Sequence, residues 1–407
     1  MGMRIAFLLS CAVVASDHAS GQSVPKPRSA IRIATFNASL NRETSGKLVR
    51  DLTDPSNPQA RNVAEIIQRV RPDILLINEF DYDMEGKAAE LFRRNYLGIG
   101  QKGAVPIQYP HHFVAEVNTG VPSGADLDGD GKVVKVEGSR GYGNDAIGFG
   151  QFTGQYGMVV YSMFPLKRDE VRKFGRLLWK DMPGALLPTK ADGSPWYSAE
   201  ALNVLRLSSK NHWDVPVTVN GRVLHLLASH PTPPAFDGPE DRNGKRNHDE
   251  IRLWADFLTG GVKAEYLRKA LAPDASIAPP ESFVLLGDQN ADPLDGGGIS
   301  GAIQQLLDHP KVNSTFVPES VGAVEANRQQ KEENTKHRGD PAADTADFGD
   351  DVVGNLRVDY ILPSRNLKVL AGGVFWPSPI DPLGRLVEMS PVASSDHRLV
   401  YLDVEGP

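Results

Sequence analysis

Short apolar runs rich in β-branched residues recur along this sequence with helix-period segments between them, and that alternation restricts the fold more than any other feature. Ile31 to Phe36 (IRIATF) is the first such run. Gln59 to Val70 then carries Val63, Ile66, Ile67 and Val70 on one helix face, and Pro72 closes it. Asp73 to Asn78 (DILLIN) is continuous and apolar, the mark of a strand covered on both faces. Strand-like runs return at Met158–Met163, Val215–Val219, Arg222–Ser229, Ser282–Gly287, Arg357–Leu362 and Arg398–Val404, and helical patterns at Asn247–Leu258 and Ile299–Leu307. Asn220-Gly221 joins two of these runs as a two-residue hairpin turn, because both residue types tolerate positive φ. Interleaving of this kind predicts an α/β (α+β) chain of packed sheets covered by helices.

Hydrophobic residues make up 40% of the chain and charged residues 23%, which is apolar surface enough for a sizeable core. With no internal repeat and no long linker, residues 23–407 read as a single domain. Gly98–Gly154, dense in glycine and aspartate, and the polar Pro318–Gly354 read as insertions on it. The net charge of −7 argues against a broad positive field for nucleic acid, so a polyanionic substrate must be held locally, by a metal or a few cations.

Residues 1–22 have the layout of a signal peptide: Arg4, the apolar run Ile5–Ala15, then small and polar residues to Gln22. That run is too short to span a bilayer and no later stretch is long enough, so a soluble, secreted or periplasmic monomer is expected. Cys11, the only cysteine, lies inside this leader, which leaves the mature chain without thiols or disulfides. Leu8-Leu9-Ser10-Cys11 faintly resembles a lipoprotein cleavage box, but the apolar run before it is short and we favour the soluble form over an anchor at Cys11.

Asn37, Glu79 and the pair Asp288 and Asn290 follow predicted strands, and Asp396-His397 precedes one. Strand ends are where α/β sheets place ligand-binding side chains. Each position alone serves equally well as a turn residue, but the set together points to chemistry. Asp288 and Asn290, two apart in an extended segment, aim the same way and can address one phosphate.

The ordered stretches IATFN, DILLINEFD, GMVVYSMFP, LLASHP, LLGDQNADP, RVDYILPS and SSDHRLV resemble the motifs of the endonuclease/exonuclease/phosphatase superfamily, from about Ile31 to Val404. Each is weak alone, whereas GDxN followed by a terminal SDH, with NE upstream, is specific. The resemblance implies a four-layer sandwich, two packed mixed β-sheets flanked by helices, that hydrolyses phosphate esters with Mg2+ (or Mn2+). It implies Glu79 as a metal ligand assisted by Asn37 and Asp396, in keeping with the preference of hard cations for carboxylate and amide oxygens. Asp288 then orients or deprotonates the attacking water, and Asn290 holds a phosphate oxygen. His397 contacts the phosphate as its charge builds, with Asp359 fixing the ring and favouring the imidazolium. His230 aligns with a second histidine of the deoxyribonuclease-like branch, placed as an acid toward the leaving oxygen. Without the family pattern, a histidine before proline at a strand end reads as a hydrogen-bonded loop residue. Ser39 departs from the abasic-site enzymes, which carry an acidic residue there; that weighs against DNA repair and not against phosphoester hydrolysis.

Asp126, Asp128, Asp130 and Glu137, with Gly131 at the sixth position, match the spacing of a calcium-binding loop. The flanks are poor helices, so the readings are a structural Ca2+ or a solvated acidic turn. Lys210 and His212 of SSKNHWD, and the basic run Arg242–Arg252, offer cations for a substrate phosphate or form a solvated face. His337–Asp347 is a lid or an excursion. The functions expected are a secreted phosphoesterase of nuclease-like type, a phosphomonoesterase acting on small metabolites or lipid headgroups, or a non-catalytic calcium-dependent binding module. The full set of catalytic residue types argues against the last.

Overall fold

The strands are β1 (Ala30–Leu40), β2 (Ile74–Phe80), β3 (His111–Phe113), β4 (Met158–Ser162), β5 (Arg172–Lys173), β6 (His212–Val219), β7 (Arg222–Ser229), β8 (Phe283–Asp288), β9 (Ala346–Asp347), β10 (Asn355–Leu356), β11 (Asp359–Pro363), β12 (Val369–Val374) and β13 (Val400–Glu405). The structure, a computed structural model, describes residues 23–406. The signal-peptide and Cys11 readings therefore lie outside the described residues. The strands form a six-stranded sheet, β12-β13-β1-β2-β4-β3, a five-stranded sheet, β11-β8-β7-β6-β5, and a separate β9-β10 ribbon. Both large sheets are mixed: β1 and β2 are parallel, as are β7 and β8, and the other pairs are antiparallel.

Side-chain alternation along β8 shows the layering. Val284 and Leu286 join the core shared with the first sheet, whereas Phe283 and Leu285 join a second core with Ile251, Trp254 and Phe257 of the helix Arg242–Thr259. On the opposite side the helix Pro58–Val70 is the crossover between parallel β1 and β2, so it must lie on a face of their sheet, and it buries Val63, Ile66, Ile67 and Val70 there. The result is the four layers expected, helix, sheet, sheet, helix. Asn57 caps the helix Pro58–Val70 by accepting from Ala60 N, with Pro58 in the first turn where its missing N–H costs nothing. Among the described residues no helix is long and apolar enough to cross a membrane.

Three local differences from the sequence reading matter. β1 and β2 continue to Leu40 and Phe80, so Asn37 and Glu79 lie within strands rather than after them; their pairing shifts register between Asn37 and Leu40. The helical pattern at Ile299–Leu307 shortens to Gln304–Leu307, because Gly301 takes φ 87°. The polar segment Pro318–Gly354 carries a helix, Val321–Gln330, and β9, which pairs with β10 just beyond the segment, and it leans on the C-terminal motif: Arg398 N donates to Thr345 O at 2.7 Å and Asp347 N to Asp396 O at 2.8 Å. His337–Asp347 thus ends as a wall beside His397.

Candidate active site

Asp288 closes β8 on the same face as Val284 and Leu286, which aims its carboxylate between the two sheets where the strands end. Both sheets meet it there. From the first, Asn37 Nδ2 donates to Asp288 Oδ2 at 3.0 Å and Asn78 Oδ1 accepts from Asp288 N at 3.2 Å; Asn37 and Asn78 are register partners on β1 and β2. From the second, Asn290 N donates to Asp288 Oδ1 at 2.8 Å, and His230 Nε2 lies 3.3 Å from Asp288 Oδ2. His397 Nε2 stands 3.7 Å from the same oxygen. Burial alone would raise the Asp288 carboxyl; the His397 and His230 imidazoles beside it, with the Asn37 amide, hold it well below the usual carboxylate range.

Asn290 reaches Asp288 by a route other than the one predicted. The segment is not extended, because β8 stops at Asp288 and Asn290 takes φ 50° in an Asx turn closed by its own N–H. Its amide Nδ2 donates to Pro231 O at 3.1 Å and faces Asp288 Oδ2 at 3.4 Å. Glu79 and Ser39 are also left-handed, at φ 57° and 46°. Such conformations cost of order 1–3 kcal/mol for residues other than glycine and cluster at functional sites.

His397 and Asp359 form a buried pair, Nδ1–H donating to Asp359 Oδ2 at 2.8 Å, and the edge of the ring pair is closed by Phe348 at a centroid distance of 5.3 Å. Burial opposes charge on His397, yet the Asp359 and Asp288 carboxylates outweigh it and raise its pKa well above the ordinary value. His397 is an imidazolium at neutral pH. His230 is the reverse: burial and the nearby Lys210 ammonium lower it to about 4. It is neutral here with Nε2 3.3 Å from Asp288 Oδ2, so in this geometry it positions that carboxylate rather than carrying a proton for the leaving oxygen.

Burial also pushes Glu79 up to about 7, with Asp396 and Asp288 adding to the rise and His397 and Asn37 opposing it. Asn41 Nδ2 donates to Glu79 Oε2 at 3.1 Å, and Ser39 Oγ donates to Asp396 Oδ1 at 3.2 Å. Asp288, Asp359 and His397 offer ligand atoms within 4.8 Å of one another, but the His397 ring already stands between those carboxylates, hydrogen-bonded to Asp359 and 3.7 Å from Asp288. The oxygens left for a hard cation are those of Glu79, Asn37 and Asp396. A carboxyl that keeps its proton because burial, and then neighbouring carboxylates, disfavour its charge is what a divalent ion would relieve, so the donor set fits such an ion.

Asp126, Asp128 and Asp130 also converge within 4.8 Å. Glu137 does not join them, which corrects the loop reading. A helix after the loop would return the last ligand, but the chain there is not helical, Val134 N is held by Asp145 Oδ2 at 2.8 Å, and Glu137 accepts instead from Tyr142 OH at 3.4 Å. His212 is structural, its ring held by Ser208 and by Glu250 O. Arg246 of the basic run directs its guanidinium to the carbonyls of Leu207, Ile147 and Arg206 and not toward the site. Two amides that hold the site escaped the sequence reading: Asn78 sat unassigned inside DILLINEFD, and Asn41 lies past the strand with no pattern to mark it.

The sequence profile of the Endonuclease/Exonuclease/phosphatase family matches residues 34–397. This chain belongs to that family. Its members are metal-dependent phosphoester hydrolases. Among solved structures, an endonuclease/exonuclease/phosphatase from Beutenbergia cavernae is similar at 17% identity and a TM-score of 0.46, over 93% of this chain and 72% of that one. A 3′-5′ exonuclease from Neisseria meningitidis is similar at 13% identity and a TM-score of 0.42, over 91% and 98% of the two chains. A double mutant of beta toxin from Staphylococcus aureus with bound magnesium ions is similar at 12% identity and a TM-score of 0.40, over 92% and 99%. No curated protein matches the sequence.

Proposed function

We propose that this protein is a secreted or periplasmic phosphoesterase that cleaves phosphodiester bonds by attack of water, with Mg2+ (or Mn2+) held by Glu79, Asn37 and Asp396. The observation that carries this reading is the convergence on Asp288 Oδ2 of Asn37 from one sheet with His230 and His397, close enough to Glu79 for its carboxyl to feel His397, Asn37 and Asp288. A bound divalent ion supplies positive charge to a phosphate oxygen. The protein groups do the rest. Asp288, kept ionised by its neighbours, orients the attacking water, whose proton passes through it to solvent as the new P–O bond forms and the leaving oxygen departs. His397 donates Nε2–H to the phosphate as charge builds, while Asp359 keeps the ring charged and fixed. Asn290 offers its amide to a phosphate oxygen. His230, which the deoxyribonuclease-like resemblance singles out, lies against Asp288 and supports a diester over a monoester substrate.

The test is turnover of bis(p-nitrophenyl) phosphate, p-nitrophenyl phosphate and plasmid DNA with Mg2+ and with EDTA. Diester turnover that EDTA abolishes and that falls by at least about 10³-fold in Asp288→Ala is expected. Activity surviving the chelator or the substitution rejects the mechanism, and preference for the monoester rejects the substrate class. Export is checked by N-terminal sequencing of the protein recovered from medium or periplasm, where a start near Ser23 is expected and an uncleaved Met1 refutes it.

A further inference from the structure

Among the described residues Lys210 is the only buried lysine, 7% exposed, and the mechanism proposed above gives it no contact with substrate. It lies two residues before β6. Because His212 pairs with Ser229 in the β6-β7 register, Lys210 comes opposite Pro231, just beyond the end of β7. Its Nζ faces Pro231 O at 3.5 Å, the outer limit of a hydrogen bond. The same carbonyl accepts from Asn290 Nδ2 at 3.1 Å, and it follows His230, whose ring touches Asp288. The ammonium therefore stands next to the amide assigned to a phosphate oxygen.

A structural ion pair would be the plainer explanation, with Glu250 as partner. Both Glu250 oxygens are already taken: Ser209 N and Oγ donate to Oε1 at 2.6 and 3.1 Å, and Thr232 N donates to Oε2 at 2.6 Å. Among the described residues no carboxylate forms an ion pair with Lys210. An ammonium has three N–H donors, and burying it with a single long acceptor is costly unless an anion completes its shell. Its field already reaches the site, since it is among the groups that hold His230 neutral.

We propose that Lys210 is a further catalytic residue, donating Nζ–H to a non-bridging oxygen of the scissile phosphate alongside Asn290 and His397. This rests on the phosphoesterase reading above. The ammonium forms no covalent bond and transfers no proton; it stabilises the charge that grows on that oxygen as water attacks. The test uses the mature protein, with Lys210→Met and Lys210→Arg beside Asp288→Ala. It measures kcat and KM on bis(p-nitrophenyl) phosphate, affinity for inorganic phosphate by calorimetry, and Tm. In Lys210→Met, kcat is expected to fall about 10²–10³-fold and phosphate affinity at least about tenfold with Tm not lowered, whereas Lys210→Arg keeps measurable phosphate binding. Should Lys210→Met fold poorly, Lys210→Gln takes its place in the comparison with Lys210→Arg. A neutral variant with kcat and phosphate affinity within about threefold of wild type overturns the assignment while Asp288→Ala still tests the enzyme. A wild type that turns over no phosphate ester, yet loses phosphate binding with the charge at Lys210, removes the enzyme reading and leaves the anion contact standing.

Discussion

Replacing Asp359 by Asn keeps the shape of the buried pair and removes its charge. In the wild type Asp359 Oδ2 accepts Nδ1–H from His397 at 2.8 Å, and both residues are buried. A hydrogen bond to a charged group contributes about 1.5–3 kcal/mol, and each 1.36 kcal/mol of differential interaction moves a pKa by about one unit. The variant should therefore lower the His397 pKa, because burial then acts against less opposition. The sign is fixed: the wild-type pKa is raised, so the imidazolium survives through neutral pH, whereas in the variant it is lost as pH rises through a lower value. On bis(p-nitrophenyl) phosphate, with metal saturating at each pH, kcat/KM should fall about 10²-fold near pH 8 and less than about tenfold near pH 5.5. Tm measured alongside separates this from unfolding. A variant whose pH–rate profile superimposes on the wild type within about threefold refutes the role given to Asp359.

Glu79, pushed up to about 7, must lose its proton to bind a cation, so apparent Mg2+ affinity should fall by up to about tenfold per pH unit below that value and level off above it. Calorimetric titration across pH checks this, and Glu79→Gln that binds Mg2+ as tightly as wild type rules the ligand out. His212, lowered by burial to about 4, contributes stability that is complete above its unfolded pKa of about 6.5 and is lost as pH falls toward 4, about 1.4 kcal/mol per unit and of order 3 kcal/mol in all. Urea unfolding against pH should show a shallower acid slope in His212→Gln; an identical slope contradicts it. Calcium added to EDTA-treated protein at about a hundred times its Kd should stabilise it by about 2.7 kcal/mol if Asp126, Asp128 and Asp130 bind the ion. Asp126→Asn should abolish that gain and Glu137→Gln leave it intact, and a thermal melt in which Glu137→Gln alone abolishes it reverses the correction made for that residue.

The layers were legible because the central strands are buried on both faces, which forces continuous apolar runs such as those of β2 and β8. The strands that escaped prediction are short, as β3, β5, β9 and β10 are, or interrupted, as β12 is by Gly372 and Gly373. The polar residues of the site were legible for a related reason: a carboxylate or amide ending an apolar run has no packing role. Their partnerships were not. That Asn37 meets Asp288 depends on how one sheet lies over the other, and no local period encodes it. Spacing also misleads where backbone conformation changes, as at left-handed Asn290 and in the non-helical chain before Glu137. In SSKNHWD, Lys210 and His212 carry similar chemistry in sequence, and only the fold separates a ring bonded to Ser208 and Glu250 from an ammonium facing the Pro231 carbonyl.

Asp288 takes two amide contacts from the first sheet, Asn37 and Asn78, and its Asn290 and His230 neighbours from the ends of strands in the second. Neither sheet alone contains a competent centre, however well its own hydrogen bonds have formed. Under the proposed mechanism a chain caught with one half ordered and the other still loose would be inert toward phosphate esters, and the return of turnover during refolding would time the moment at which the two halves close on each other.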